Sequence, residues 1–174
     1  MPSIDLEVAG AVHFATIGNL IQLYVHDFTE FWAGTDRAEL QDDGRYLPFP
    51  GLERYWSEPD RTPWLIRSDR RLIGFALIDK RSHSGAALDG NIGEFFIVRK
   101  YRRSGYGSAP LAAILNDRPG RWEAAVARAN VGALAFWRRA LARNVQVSAV
   151  EEVDVEDDEW NGPVLRFVVA ERGQ

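Results

Sequence analysis

The stretch Arg99-Lys100-Tyr101-Arg102-Arg103-Ser104-Gly105-Tyr106-Gly107-Ser108 sets four cations ahead of two glycines one residue apart. Glycine lets the main chain turn sharply and come close to a ligand, and amides at the head of a following helix point at an anion with the helix dipole behind them. Those residue types in that order describe a cradle for phosphate. They also describe a plain strand-to-helix turn with a solvated basic edge. Two widespread phosphate loops are excluded by the residues after Gly107. Nucleotide-hydrolysing loops place Lys and then Ser or Thr there, whereas this chain has Ser108-Ala109, and the dinucleotide fingerprint needs a third glycine where Pro110 stands.

A second concentration is aromatic. Positions 24–64 hold nine aromatic residues in 41, about twice the 11% of the whole chain. Phe28, Phe31 and Trp32 continue a helical stripe and read as core, while Tyr24, Tyr46 and Tyr55 read as walls of a pocket. Asp27 and Glu30 fall beside the stripe, and Glu30 reads as part of a solvated acidic face.

Hydrophobic periodicity predicts the elements that position these groups. Alternation over 4–8 predicts a half-buried strand, and Ile17, Leu20, Ile21, Tyr24, Val25, Phe28, Phe31 and Trp32 predict one long helix from Phe14 to a stop at Gly34-Thr35-Asp36. A short helix over 52–56 ends before Pro59, strands over 64–66 and 72–78 form a hairpin, and a strand over 92–98 runs into the basic turn. A helix through Leu111, Ile114 and Leu115, a strand over 122–127, a helix over 131–143 and strands over 145–155 and 164–169 complete the order β α α β β β α β α β β. With no repeat or linker, one mixed α/β domain over 1–174 is expected.

Composition bounds the function. At 174 residues with 46% hydrophobic and 26% charged, the chain can bury a core without staples. A net charge of −4 is a poor footprint for a general nucleic-acid binder, although the cluster at Arg99 could still meet a phosphate. Zero cysteines remove disulfides, thiolate metal sites and cysteine nucleophiles, and three scattered histidines make no metal constellation. Met1-Pro2-Ser3-Ile4-Asp5 lacks the basic start and apolar run of a signal peptide, and no run approaches 18 apolar residues. A cytoplasmic protein without a membrane segment is expected.

Arg102-x-x-Gly105-x-Gly107, set between the strand Glu94-Phe95-Phe96-Ile97-Val98 and a helix, resembles the acetyl-CoA motif of the GNAT family of N-acetyltransferases. Asn130-x-x-Ala133-x-x-Phe136-Trp137 resembles that family's second CoA-side motif, whose Asn opens the helix along the pantetheine arm. The resemblance is strongest from 94 to 141 and implies a GNAT-like α/β fold, a central mixed, mostly antiparallel twisted sheet flanked by helices. It implies an enzyme that moves an acetyl group from acetyl-CoA, as co-substrate and without metal, to a primary amine. Carried over residue by residue, the pyrophosphate amides fall on Arg103, Ser104, Gly105, Tyr106, Gly107 and Ser108, and the pantetheine and thioester lie against Phe95, Phe96 and Ile97. A splayed strand there would expose main-chain N–H groups to an oxyanion. The aromatic region becomes the acceptor pocket, with Tyr24, Asp27, Tyr46, Tyr55 and Trp137 facing a cationic amine.

Two residues depart from the family pattern. Pro110 lacks an amide and disfavours helix at Ala109, so a distorted or late helix start is expected. Trp137 stands where the family often has a tyrosine whose phenol protonates the departing thiolate. Indole is only a neutral donor, which leaves that proton to water or to the amine itself.

An alkyl amine has a pKa of roughly 10.4 and must lose a proton to attack. Glu94 resembles the strand glutamate that serves as general base in several family members; the same residue also suits a buried ion pair with an arginine. Glu123 is the reserve and His26 a further candidate, the latter also suiting a surface role beside Asp27. Positioning amine and thioester together supplies on the order of 7–11 kcal/mol, more than a base, so direct transfer needs no covalent intermediate. A competing class is a catalytically inactive CoA-binding sensor or interaction module, which Trp137 favours and Glu94 disfavours. A nucleic-acid-binding regulator through the basic turn is opposed by the acidic balance. The expected partners are a small-molecule or peptide amine, no nucleic acid and no membrane, and a homodimer paired across a C-terminal strand, 145–155 or 164–169.

Overall fold

The computed structural model describes residues 3–103, 105–116 and 118–171. Among them the order is β1 (Ile4–Val8), α1 (Phe14–Phe28), α2 (Arg54–Ser57), β2 (Thr62–Ser68), β3 (Arg71–Asp79), β4 (Gly90–Ile97), α3 (Ser108–Asn116), β5 (Gly120–Ala125), α4 (Val131–Arg143), β6 (Val147–Glu156) and β7 (Asn161–Val169). Short 3-10 turns precede α1 and follow β4. This is the order the periodicity predicts. The strands form one sheet in the order β1-β2-β3-β4-β5-β7-β6, antiparallel throughout except for the parallel pair β4–β5.

Alternation along the strands gives the sheet two apolar faces. Ile66, Ala76, Ile78 and Ile97 face α3 and α4 and pack with Leu111, Leu115 and Leu141. Their neighbours Leu65, Phe75, Leu77 and Phe96 face the other way, against Ile17, Leu20 and Ile21 of α1. Helices therefore cover both sides of the sheet, and α1 lies over β3 and the Glu94–Phe96 end of β4.

The long first helix is shorter than its apolar spacing predicts. It ends at Phe28, because the Thr29 hydroxyl donates to the His26 carbonyl at 2.7 Å and turns the chain, leaving Phe31 and Trp32 in successive turns. Pro110 does not delay α3, which starts at Ser108, and the Leu111 N–H closes the first turn on the Gly107 carbonyl at 3.3 Å. Pro110 sits in the first turn, where an N–H would have had no intrahelical acceptor. β5 ends at Ala125 and β6 starts at Val147, two residues short of the predicted strand at each of those ends. β7 lies inside the sheet between β5 and β6, so of the two C-terminal strands only β6 offers a free edge. No described helix is long and apolar enough to cross a membrane.

Two irregularities in β4 shape the clefts beside it. Leu77 of β3 faces Glu94 and Ile78 faces Ile92, so Gly93 is an extra, bulged residue. β4 and β5 also part, already before the bulge: they pair only at Gly90↔Trp122 and Asn91↔Glu123. From Glu94 onward that edge of β4 has no strand partner, and rings from α4 and β4 stand in the gap.

Candidate active site

Phe95 fills the opening from the β4 side. Its ring lies parallel to Phe136 at 6.0 Å and edge-on to Trp137 at 5.8 Å, two neighbouring residues of α4. Asn130 caps that helix, its Oδ1 accepting from the Ala133 N–H at 3.0 Å. Two clefts meet across this opening, of about 470 and 480 Å³, and Tyr24, Phe28, Phe95, Asn130 and Ala133 line both.

The first cleft runs along the free edge of β4, past Ile97, Gly107 and Phe136, to Arg99, Arg102 and Arg103. The loop that closes it takes left-handed backbone at Arg103 (φ 65°) and Gly105 (φ 82°) before α3 starts at Ser108. Ser104 lies outside the described residues. A Cβ at Gly107 would stand 3.0 Å from the Phe136 ring. Tyr106 packs edge-on against Tyr101 at 5.4 Å, so its ring braces the loop while its amide belongs to the turn. Unpaired strand edge, close-approach glycine, helix N-terminus and arginines make a donor set suited to a long, phosphate-bearing ligand with an amide-rich arm. Phe95, Ile97, Arg103, Gly107, Asn130 and Phe136 are brought together here as the sequence implies. Phe96 contributes less, because its side chain turns into the α1 face of the core.

Arg102 acts as a strut. Its Nε donates to the Ile97 carbonyl at 2.6 Å, its Nη2 pairs with Asp27, and the guanidinium lies 5.3 Å above the Phe96 ring. Asp27 also receives Arg99 at 2.9 Å. This corrects the expectation that Asp27 faces a cationic acceptor: it lines the first cleft, with both oxygens held by arginines. The reason is local, since Asp27 sits in the last turn of α1, where the helix dipole disfavours an anion unless cations attend it.

The second cleft is bounded by Glu94, Trp137 and Trp32, by His83 from the β3–β4 loop, and by Asp157, Asp158 and Trp160 of the β6–β7 turn. Glu94 is half-buried. Burial pushes its carboxyl up to about 7, helped by the Asp79 charge and opposed by the hydrogen bond from Tyr24. Burial and the adjacent Glu94 push the Tyr24 phenol well above its ordinary value. A carboxylate poised near neutrality at the meeting of two clefts can take a proton from an amine.

The other expected acceptor residues divide. Trp137, 7% exposed, forms part of the wall. Tyr55 does not: it is 5% exposed, and its hydroxyl donates to Asp79 at 2.9 Å. That pair stands directly behind the bulge, since a Cβ at Gly93 would lie 3.0 Å from Asp79 and 3.3 Å from the Tyr55 hydroxyl. Tyr55 thus supports the bend that presents Glu94. Tyr46 also lies outside both clefts, its hydroxyl 2.9 Å from His26 Nδ1 and its N–H donating to Gln22 at 2.8 Å. His26, its partner in that contact, lines neither cleft. Glu123 is fully buried and accepts from the His83 N–H and from Ser82 and Ser84. Burial works to raise its carboxyl, but those hydrogen bonds prevail and keep it below the ordinary range, so it is a structural anchor and not a base.

Several lining residues escape sequence reading. His83, edge-on to Trp160 at 4.9 Å, comes from a Gly/Ser-rich loop that carries no periodic signal. Asp157 and Asp158 come from a turn 60 residues and more beyond Glu94 in the chain. Arg139, in the first cleft, was legible: it lies three residues after Phe136 and therefore on the same helix face. Among the described residues, no group of three or more His, Asp or Glu could hold a metal ion.

The sequence model of the acetyltransferase (GNAT) family matches residues 17–142. Solved structures with the same fold include aminoglycoside acetyltransferase AAC(6')-Ib in complex with coenzyme A and kanamycin, at 16% identity and a TM-score of 0.62 over 97% of this chain and 95% of that one. The ribosomal-protein-S18-alanine N-acetyltransferase of Escherichia coli matches at 10% identity and 0.57, over 99% and 97%. An acetyltransferase of Thermus thermophilus matches at 17% and 0.56, over 95% and 96%. No curated protein sequence matches. With the family's sequence pattern spanning most of the chain and its fold spanning nearly all of it, the protein belongs to the acetyltransferase (GNAT) family of acetyl-CoA-dependent N-acetyltransferases.

Proposed function

We propose that the chain, working as one domain over 1–174, carries an acetyl group from acetyl-CoA to a primary amine by direct attack, both substrates bound at once. The observation that carries this reading is the position of Glu94: it opens into one cleft beside the unpaired edge of β4 that borders the other. The first cleft takes CoA, its pyrophosphate on the amides of the 103–108 turn and its arm along Phe95, Ile97 and Asn130. Arg99 and Arg102, tied to Asp27, set the positive wall of that cleft. Amides on the free edge of β4 face the thioester oxygen, where they oppose the charge that develops there.

The second cleft takes the amine. Trp32 and Trp137 give it aromatic walls, and Asp157 and Asp158 give its mouth negative charge, a combination suited to a cationic acceptor. Glu94 removes the proton that an attacking amine must lose. A homodimer would form through β6, the C-terminal strand with a free edge.

Trp137 is a wall. Its indole packs in T-shaped contact with Phe95 and Phe136, so Trp137→Phe, which keeps most of the apolar surface, is expected to change kcat by less than about tenfold, whereas Trp137→Ala opens the pocket and raises the acceptor KM. Steady-state kinetics of the two variants check this. The function itself is tested by following thiol release from acetyl-CoA against a library of amines, with saturable turnover expected for amines bearing a second positive charge. Tight CoA binding with no thiol release from any amine, together with activity gained by Trp137→Tyr, would replace the enzyme by a CoA-binding module.

A further inference from the structure

Transfer to an amine leaves a sulfur that needs a proton, and Trp137 has none to give. The helical spacing Ile17, Leu20, Ile21, Tyr24, Phe28 brings Tyr24 to the face of α1 that covers β4. Its ring is fixed edge-on by Phe28 at 4.8 Å, Phe96 at 5.7 Å and Phe75 at 5.9 Å. A phenylalanine would satisfy all three contacts. The hydroxyl does something else: it donates to Oε2 of Glu94, at the place where the two clefts join.

We infer that Tyr24 and Glu94 form one proton relay, with Tyr24 as the acid that protonates the departing thiolate. The inference rests on Glu94 being the base. The amine nitrogen bonds to the acetyl carbon and its proton passes to the Glu94 carboxylate. The carbon–sulfur bond breaks and its electron pair stays on sulfur, which takes the Tyr24 hydroxyl proton. Neutral Glu94 then returns the proton to the phenolate oxygen across their hydrogen bond. One proton has moved from nitrogen to sulfur, the products are the N-acetyl amine and the thiol, and Tyr24 and Glu94 end as they began. The family's common tyrosine position on the CoA-side helix is thereby relieved of its task by a residue on α1.

Glu94 is faced by Tyr24 from α1, Asp79 from β3, His83 from the β3–β4 loop and Tyr55 from α2. Of these, Tyr24 is the one hydrogen-bonded to it and lining both clefts. Tyr24→Phe keeps the aromatic packing and removes the relay. Its kcat with acetyl-CoA and the best amine is expected to fall by about 10²-fold or more while CoA affinity by calorimetry stays within about threefold. In the ligand-free protein, infrared titration of the Glu94 carboxyl is expected to show its midpoint moved upward, because the lost hydrogen bond favoured the anion. Tyr24→Phe/Glu94→Gln is expected to be no slower than the slower single variant, since both act in one path.

Wild-type kcat in Tyr24→Phe, with Glu94→Gln impaired, overturns the relay and leaves the base. Wild-type kcat in both overturns the base as well. If Tyr24→Phe binds CoA poorly, fluorotyrosine at position 24 decides, because it keeps shape and hydrogen bond and changes only acidity. A downward shift of the alkaline limb of kcat supports the relay, and an unchanged profile overturns it.

Discussion

Glu94→Gln is expected to lower kcat/KM for the amine by about 10²- to 10⁴-fold and to abolish the acidic limb of its pH profile. In the wild type that limb lies near pH 7, because burial has raised the carboxyl to about 7 and the base must be ionised to work. Activity therefore falls as pH drops through that value. CoA affinity is expected to be unchanged, since Glu94 lines the second cleft and not the first. A variant with wild-type rate and the same limb would assign the limb to another group. The same substitution has the opposite effect on stability. Below the ordinary carboxyl value of 4.5 Glu94 is protonated folded and unfolded alike, and burying it costs nothing extra. As pH rises from 4.5 through about 7, the unfolded chain ionises the carboxyl freely while burial in the folded protein resists it, and stability is lost over that window. Glu94→Gln is thus expected to match the wild type at pH 4 and to exceed it at pH 8 by up to ~3 kcal/mol, read from urea denaturation at the two pH values. A base held in this way is a residue the fold would be steadier without.

The element order and the two motif regions were legible because each rests on short-range signals: apolar period, glycines in a basic turn, an Asn at a helix start. What the sequence hid was set by partners distant in the chain. Asp27 reads as an acidic residue beside an aromatic stripe, and only the folding of the 99–103 segment against the end of α1 gives it two arginines. Tyr55 reads as a pocket wall; its partner Asp79 is 24 residues away and draws it into the core beneath the bulge. Glu123 looked like a spare base until the loop that carries His83 supplied its donors. The end of α1 was missed for a different reason. Phe31 and Trp32 keep the helical spacing past Thr29, so periodicity cannot see a stop made by one hydroxyl bonding back to the main chain. The bulge itself had a signal, a glycine inside a strand, which marks a bend or a close approach. Strand order was not available: nothing local to β6 or β7 says that the later strand inserts between β5 and the earlier one.

Gly107→Val is expected to weaken CoA binding by about tenfold to a hundredfold, the range that overfilling a packed site by 1–3 kcal/mol gives. The backbone at Gly107 is not left-handed, so valine meets no left-handed strain there and acts through the space it fills. Its Cβ would lie 3.0 and 3.2 Å from two atoms of the Phe136 ring, closer than carbon atoms rest, and in ordinary contact with Ile97 at 3.9 Å. The parallel ring of Phe95 and the indole of Trp137 stand against Phe136 and restrict how far it can withdraw. The ring must therefore swing into the first cleft, or the loop must lift away from α4, and either movement spoils the surface along which the CoA arm and pyrophosphate would lie. Alanine at the same position adds the Cβ without the two methyl groups and is expected to cost only a few-fold. Calorimetry of CoA binding to the two variants reads the grading, and an unchanged melting temperature shows that the loss is local. In the valine variant acetyl-CoA KM rises with CoA Kd, whereas Glu94→Gln leaves both alone and lowers the rate, so the two substitutions separate the cradle from the base. A folded Gly107→Val protein that binds CoA as the wild type does would remove the 103–108 turn as the phosphate site and leave the first cleft to a different ligand.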